Sequence, residues 1–203
     1  MASAEDDEAA PSGLLETIQL EHVPSTHTVH IAVFKDVTNA GFLHQQLLSR
    51  NAEYEYAFID ATSVTSRLQV LAAIYKAITI QMNGNMKTPN IHSEIVCSLS
   101  PNNNISEAYR RFGISPSSQH LIIAKVLITP ASTLTAADVA KHLQTNVRGT
   151  PVPFADAGLT DWAKVRKYYK LNGVAALDTV KDEVLKRKET ELLVLGGMAL
   201  RGV

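Results

Sequence analysis

Residues 93–126, SEIVCSLSPNNNISEAYRRFGISPSSQHLIIAKV, decide the predicted fold. This stretch holds an apolar run, an Asn-rich turn, a short helical pattern, a second turn and a second apolar run. Both apolar runs are rich in β-branched residues and are short enough to be buried strands. The stretch therefore predicts a strand–helix–strand unit, and we expect this unit to lie at the centre of the fold.

The helix in this unit carries its own start and stop signals. Asn104 can cap the helix, and Glu107 stands three residues later in the capping-box position. Gly113 suits a left-handed position after the last turn, where Ile114 can close back onto Tyr109. The apolar residues recur at i, i+3, i+4 and i+7, as Ile105, Ala108, Tyr109 and Phe112. We expect Phe112 to be a buried core residue.

The rest of the pattern completes one α/β domain over residues 14–203, a mixed and mainly antiparallel sheet wrapped by about six helices. Strands are predicted at Thr17–Leu20, Val29–Phe34 and Glu191–Leu195, and helices at Asn39–Ser49, Val64–Met82, from Thr135, from Thr160 and at Val174–Lys188. The segment Tyr54–Ile59 is either a strand or the lead into the next helix. Gly196 and Gly197 are expected to detach a short apolar tail, Met198–Val203.

Composition bounds the class of protein. The chain has 203 residues, a net charge of −1, 19% charged and 45% hydrophobic residues, which is typical of a globular protein. The single cysteine, Cys97, excludes an internal disulfide and suits a reducing compartment. Because Cys97 lies inside an apolar run, we expect a buried structural thiol.

Two segments bear on targeting. Residues 1–13 include Glu5, Asp6, Asp7 and Glu8 without an apolar run, so we expect a disordered acidic tail and neither signal peptide nor anchor. The longest apolar run, Leu121–Ile128, contains Lys125 and is far too short to cross a bilayer. The sequence therefore predicts no membrane partner.

Motifs for enzymatic chemistry are absent. The sequence has no G-x-G-x-x-G, P-loop, H-E-x-x-H, C-x-x-C or G-x-S-x-G pattern. His22, His27 and His30 are clustered, but no carboxylate stands at ligand spacing beside them. We therefore expect no catalytic residue, metal or cofactor. A small hydrolase or transferase with an unrecognised site stays open as an alternative.

An ordered set of short segments resembles one family. These segments are Phe34-Lys35-Asp36-Val37 with Asn39, Ala57-Phe58-Ile59-Asp60, Glu94-Ile95-Val96, Leu99-Ser100-Pro101, Asn104-Ile105, Glu107-Ala108, Phe112-Gly113-Ile114, Leu121–Val126, Val147-Arg148-Gly149 with Val152-Pro153, and Tyr169-Lys170-Leu171. Together they resemble the kinase-binding subunit of the EKC/KEOPS complex, called PRPK-binding protein in animals. The resemblance extends from about Leu14 onward.

The resemblance implies a function and partners. Members of this family are non-catalytic and dock on the small atypical kinase/ATPase of the complex, which they modulate. They meet the other subunits indirectly. The complex installs threonylcarbamoyl on the tRNA adenosine beside the anticodon, and some members contact tRNA. The resemblance implies a location in the nucleus and cytoplasm.

Candidate kinase-binding residues are apolar positions that the chain cannot bury by itself. The predicted helix Val64–Met82 carries one apolar stripe at Val64, Leu68, Leu71, Tyr75, Ile78 and Met82, and a second at Val70, Ile74 and Ala77. The second stripe is offset by about 100°, so either the helix is buried on both sides or a partner covers this stripe. The tail residues Met198 and Leu200 are further candidates, followed by Ile114.

Candidate tRNA-binding residues come from a basic segment. Eight of the 19 basic residues lie between Asp161 and Thr190, with Trp162, Tyr168 and Tyr169 among them. The candidates are Lys164, Arg166, Lys167, Lys170, Lys186 and Arg187. The alternative interpretation is a pair of solvated helices, because five acidic residues share the segment. A stand-alone RNA-binding protein is the remaining alternative function.

Overall fold

The computed structural model describes residues 15–156 and 158–201, so the predicted tail at residues 1–13 lies outside the described residues. The described strands are β1 (Glu16–Ile18), β2 (His27–Lys35), β3 (Ala57–Asp60), β4 (Leu121–Ile128) and β5 (Thr150–Val152). The described helices are α1 (Ala40–Leu48), α2 (Arg67–Met82), α3 (Ile91–Ser98), α4 (Ile105–Phe112), α5 (Ala136–Asn146), α6 (Trp162–Tyr168), α7 (Ala175–Asp178) and α8 (Glu183–Ala199). None of these helices is long and apolar enough to span a bilayer.

The sheet has the order β1-β2-β4-β3, and every pairing among the described strands is antiparallel. β4 pairs with β2 along its whole length. The opposite edge of β2 is shared by two short strands, with Glu16 of β1 opposite Ile31 and Val152 of β5 opposite Val33. The predicted α/β class with a mainly antiparallel sheet is confirmed.

Strand β4 is buried on both faces and divides the core in two. Ile122, Ala124 and Val126 belong to a cluster that includes residues of α2, α3, α6 and α8. Leu121 and Ile123 face the other side, where residues of α1 and α5 cover the sheet. The alternation of side chains along a strand produces this division. Helices therefore cover both faces of the sheet.

The first apolar run of residues 93–126 is a helix, so the strand predicted there is wrong. The carboxamide oxygen of Asn90 accepts a hydrogen bond from the Ser93 N–H at 2.8 Å and caps α3. Ile91, Ile95 and Leu99 recur at helical spacing and are buried against the sheet. Short β-branched runs occur both in strands and in buried helices, and here the Asn cap and tertiary burial decide for the helix. Cys97 lies buried in this helix, as a structural thiol would.

Helix α4 is confirmed, but the expected reason for Gly113 is wrong. Asn104 caps α4 through the Glu107 N–H at 3.0 Å, and Phe112 is fully buried. Gly113 has an ordinary negative φ of −75°, not a left-handed conformation. A Cβ at Gly113 would lie 2.7 Å from the carbonyl oxygen of Tyr109, so close backbone approach requires glycine. Ile114 does not fold back onto α4, because its N–H bonds the Phe58 carbonyl of β3.

The structure buries the stripe of the long helix that our kinase-binding hypothesis left for a partner, and it exposes part of the other stripe. Helix α2 begins at Arg67, and Val70, Ile74 and Ala77 are completely buried. Leu68, Tyr75 and Met82 of the other stripe are exposed. The apolar arc is wide, and only the position of the sheet and α3 determines which side faces the core. A partner cannot cover Val70, Ile74 and Ala77 while the domain stays folded.

Residues Glu183–Ala199 form one helix, α8, so the predicted strand Glu191–Leu195 and the detached tail are wrong. Asp182 caps α8 by accepting from the N–H groups of Val184 and Leu185. Thr190, Val194 and Met198 recur every four residues and are buried. The helix continues through Gly196 and Gly197, because tertiary contacts override the low helix propensity of glycine.

Candidate functional site

The structure does not bring the six predicted kinase-binding residues to one surface. Val70, Ile74 and Ala77 belong to the core, Met198 is 3% exposed, and Ile114 is 6% exposed within the core on the other side of the sheet. Only Leu200 lies outside, with 70% of its surface exposed. Burial of Met198 follows from its position on the inner side of α8, four residues after Val194.

Helix α8 presents an outward apolar face that our sequence interpretation missed. Its residues are Leu185, Leu192, Leu193 and Leu200, all exposed, with Leu192 at 62%. Their spacing of seven, eight and fifteen residues keeps them on one side of a helix, opposite the buried Thr190, Val194 and Met198. The spacing was visible in the sequence, but the double glycine concealed that residues 183–199 form one helix. We call this set the α8 face.

Contacts from α2 and the α3–α4 region hold the end of α8. The Lys76 ammonium donates to the carbonyl oxygens of Met198 at 2.8 Å and Arg201 at 3.1 Å. The Arg201 guanidinium donates to the Cys97 carbonyl and, at 3.1 Å, to Oδ1 of Asn103. Burial, with a smaller contribution from Arg201, lowers the pKa of Lys76. The end of α8 is therefore tied to its neighbours.

A second set of exposed apolar residues lies on α2. Leu68, Tyr75 and Met82 are separated by seven residues each, and all three are exposed. Seven residues are nearly two helical turns, so these side chains share one side of α2. Single exposed leucines need no explanation, whereas aligned ones on one helix are typical of an interaction surface.

Four of the six predicted tRNA-binding residues interact within the protein. Lys164 donates to Asp60 Oδ2 at 3.0 Å and to the Thr62 hydroxyl at 2.7 Å. Arg166 donates to Asp178 at 2.6 Å. The Lys186 ammonium lies 3.8 Å from Oε1 of Glu183. The Arg187 guanidinium packs over the Trp162 ring, 5.5 Å from its centre. Lys167 and Lys170 are exposed at the end of α6.

Two arginines that the sequence interpretation missed extend this basic region. Arg111 of α4 donates to the carbonyl oxygen of Tyr168 at 2.8 Å and lies 5.2 Å from the centre of its ring. The Lys164 ammonium lies 5.8 Å from the same ring centre. The Arg110 side chain lies 3.7 Å from Glu107 but is 70% exposed on α4. We call Arg110, Arg111, Lys164, Lys167 and Lys170 the α4–α6 basic surface; only tertiary packing brings these two helices together.

Ionisable residues that an enzyme might use are engaged in structural contacts. Glu94 accepts from the Thr88 hydroxyl at 2.7 Å, and Asp60 accepts from Thr62 and Lys164. Burial raises the pKa of the Cys97 thiol to about 11, which disfavours the nucleophilic thiolate. Residues 15–156 and 158–201 contain no group of three or more His, Cys, Asp or Glu that could hold a metal ion.

One cleft of about 540 Å³ opens between the start of α2 and the start of α6. Its inner wall is apolar and includes Val33, Val64 and Ile122, while Arg67 and Arg187 also line it. Arg67 is paired with Glu16, and Arg187 packs on Trp162. The contacts of both arginines are thus internal.

An α/β domain with aligned apolar residues on two helices and a separate basic surface has the features of a protein that binds other macromolecules. Residues 34–202 match the family described as kinase binding protein CGI-121. The EKC/KEOPS complex subunit CGI121 of Gibberella zeae is 55% identical over 195 residues, covering 93% of this chain and 99% of that protein. The subunits of Neurospora crassa, at 48% identity (93% and 99% covered), and Schizosaccharomyces pombe, at 37% (71% and 82%), are also similar. The chain belongs to the CGI-121 kinase-binding protein family.

Proposed function

We propose that this chain is a non-catalytic subunit of an EKC/KEOPS complex that binds and modulates the small atypical kinase/ATPase of that complex. Through this kinase it would act with the other subunits to support threonylcarbamoyl modification of tRNA in the nucleus and cytoplasm. Membership of a family named for kinase binding supports the choice of partner. The names of the similar proteins support the choice of complex.

The α8 face is the observation that supports a docking surface for the kinase. Leu185, Leu192, Leu193 and Leu200 are exposed on one side of a helix that is fixed at its end. Exposed aliphatic side chains aligned along a helix match the helix-in-groove mode of protein recognition. The kinase would supply the apolar groove that covers them.

Replacement of Leu192 by Asp tests this surface. A charge in the centre of an apolar interface should cost about 2 kcal/mol or more, which is roughly a thirtyfold rise in the dissociation constant for the kinase. Leu48→Asp is the matched control, because Leu48 is similarly exposed, at 65%, but lies on α1 across the sheet. Equal affinity of the two folded variants for the kinase would show that the kinase binds elsewhere. The α2 residues Leu68 and Tyr75 would then be tested next.

Modulation requires that the chain contact two states of the kinase differently. We expect the wild-type chain to change the ATPase rate of the kinase and Leu192→Asp to lose this effect at equal concentration. In cells that lack the wild-type gene, Leu192→Asp should also restore less threonylcarbamoyl on tRNA than Leu48→Asp does. An unchanged ATPase rate with the wild-type chain bound would reduce the role to assembly.

For tRNA binding, we propose the α4–α6 basic surface, which keeps Lys164, Lys167 and Lys170 of the six residues predicted from the sequence and adds Arg110 and Arg111. Arg110, Lys167 and Lys170 are exposed and can release counterions from phosphates. Arg110→Glu/Lys167→Glu/Lys170→Glu should weaken tRNA binding and lower the salt slope by about one for each phosphate that is no longer neutralised. The control is Arg50→Glu/Lys87→Glu/Lys141→Glu, which changes net charge equally at exposed sites outside α4 and α6.

If both triple variants bind tRNA equally, only net charge matters and the surface is wrong. Tight binding of tRNA by the wild-type chain without the kinase would support the alternative of a stand-alone RNA-binding protein.

A further inference from the structure

The last turn of α8, which positions Leu200 of the α8 face, has the weakest local support for a helical conformation. Gly196 and Gly197 stand one turn before its end, and glycine is the weakest helix former after proline. The last carbonyl groups of any helix also have no donor within that helix. Leu200 nevertheless keeps helical backbone angles, with φ −77° and ψ −6°. Contacts from outside the helix must therefore stabilise this turn.

Lys76 supplies one such contact from α2. Its ammonium donates to the carbonyl oxygens of Met198 and Arg201, at 2.8 and 3.1 Å. A cation at the carboxyl end of a helix interacts favourably with the helix dipole and with unpaired carbonyls. The Lys76 side chain is partly buried, which limits the screening of this interaction by water.

Arg201 supplies a second contact, toward α3. Its guanidinium reaches the Cys97 carbonyl and, at 3.1 Å, the carboxamide oxygen of Asn103. Lys76 and Arg201 therefore join the end of α8 to two separate parts of the core. Neither residue belongs to the α8 face.

We propose that Lys76 and Arg201 are positioning residues for kinase binding, which hold the last turn of α8 helical so that Leu200 lies in line with Leu193 before the kinase arrives. This inference rests on the proposed docking role of the α8 face. Leu193 and Leu200 are seven residues apart, so they share one side only while the turn stays helical. Preformed order removes an ordering cost that binding would otherwise meet.

Lys76→Met tests the inference, because it keeps the aliphatic stem and removes only the ammonium. If the helical population of the last turn falls to about one tenth, kinase affinity should fall about tenfold. Hydrogen exchange should accelerate at the amides of Leu200 and Arg201, which bond to the Gly196 and Met198 carbonyls.

Lys125→Met is the matched control. Lys125 is also a lysine whose ammonium donates to a backbone carbonyl, that of Glu55 at 2.6 Å, and it is more deeply buried than Lys76. Lys125 lies on β4, and its hydrogen bond goes to Glu55 and not to the end of α8. We expect Lys125→Met to lower the melting temperature without changing kinase affinity or amide exchange in the last turn of α8.

A rescue variant separates positioning from general stability. An alanine Cβ at Gly197 would lie 3.7 Å from Pro101 Cβ and Tyr169 Cδ1, which is ordinary van der Waals distance. Gly197→Ala should raise helix propensity in this turn without touching Lys76. The double variant Lys76→Met/Gly197→Ala should therefore recover most of the affinity and slow the exchange again.

The outcomes distinguish this inference from the proposed function. Loss of binding in Leu192→Asp, together with wild-type affinity and exchange in Lys76→Met and Arg201→Met, would overturn the positioning role alone. Wild-type binding by Leu192→Asp would overturn the docking face and the positioning role with it. Should Lys76→Met fail to fold, Arg201→Met decides, because Arg201 follows the end of α8 and lies outside the core clusters.

Discussion

The Nε2 atom of His92 accepts a hydrogen bond from the backbone N–H of Val126 at 3.1 Å. This N–H lies on β4 beyond Ala124, where the pairing with β3 ends. The other ring nitrogen, Nδ1, lies 3.7 Å from Oε1 of Glu55. The buried imidazole of α3 thus satisfies a backbone donor in the place of a neighbouring strand.

Acidification should destabilise the fold through this histidine. Burial lowers the pKa of His92, and Lys125 adds to this effect while Glu55 opposes it. In the unfolded chain the histidine pKa is about 6.5, so below that pH the unfolded state binds a proton that the folded state does not. The free energy of unfolding is therefore highest above this pH and should fall by up to about 1.4 kcal/mol per pH unit as pH decreases toward the folded pKa.

Melting temperatures between about pH 7.5 and 5.5 measure this dependence. Burial also lowers the pKa of His30 and His142, so these residues add to the slope. His92→Gln keeps a hydrogen-bond acceptor but does not titrate, and it should flatten the dependence. The same slope in wild type and His92→Gln would show that His92 is not the group responsible.

Gly113→Ala should destabilise the protein although the backbone angles of Gly113 suit any residue. The added Cβ would meet the Tyr109 carbonyl at 2.7 Å, and the backbone must shift to relieve that contact. We expect a loss of about 1–3 kcal/mol in the free energy of unfolding, measured by urea denaturation. Gly196→Ala is the control, because apart from its own helix backbone no described atom lies within 4 Å of its added Cβ, and there we expect a gain of up to about 1 kcal/mol.

Neighbouring residues on α2 should lose very different amounts of stability on the same substitution. Ile74 is completely buried, so Ile74→Asp places an unpaired charge in the core and should cost about 4 kcal/mol or more. Tyr75 is 42% exposed, and Tyr75→Asp should cost roughly 1 kcal/mol or less. Circular dichroism during thermal melting measures both. A folded Ile74→Asp with a wild-type melting temperature would contradict the assignment of Ile74 to the core.

The Cys97 thiol should report on opening of the domain. Burial is the main cause that raises its pKa to about 11, so near neutral pH the reactive thiolate is scarce as well as inaccessible. We expect no labelling by iodoacetamide in the native protein and ordinary labelling in urea. Rapid labelling of a protein that remains folded by circular dichroism would mean that α3 opens locally.

The sequence predicted elements whose signals are local. The Thr135 cap of α5, with Asp138 completing a capping box, and the Asn104 cap of α4 both have short-range causes, and both helices are predicted correctly. Helix α3 was misassigned because its apolar run, Ile95-Val96-Cys97, is too short to show a decisive period. Helix α8 was divided because the short apolar run Glu191–Leu195 suits a strand and because Gly196 and Gly197 are stop signals in isolation. The burial of Val194 and Met198 and the contacts of Lys76 and Arg201 counter these local signals.

The candidate site was harder to predict, because exposure is a tertiary property. Ile74 and Tyr75 are both apolar residues of one helix, and no local signal indicates which one faces the sheet. The approach of Arg111 to Tyr168 joins residues 57 positions apart in the chain. Likewise, Lys164 looks like a free charge in the sequence until folding brings Asp60 next to it.

The shared edge of β2 has a consequence for behaviour at high concentration. β1 and β5 each contribute three residues to that edge, and Pro151 removes one backbone donor from β5. At the far edge, the Ile114 N–H already occupies the Phe58 carbonyl of β3. Along the described strands, neither border therefore offers a long row of unpaired amides onto which a strand of a second molecule could add. We expect the folded protein to resist edge-to-edge aggregation, so that precipitation on heating would begin from unfolded chains.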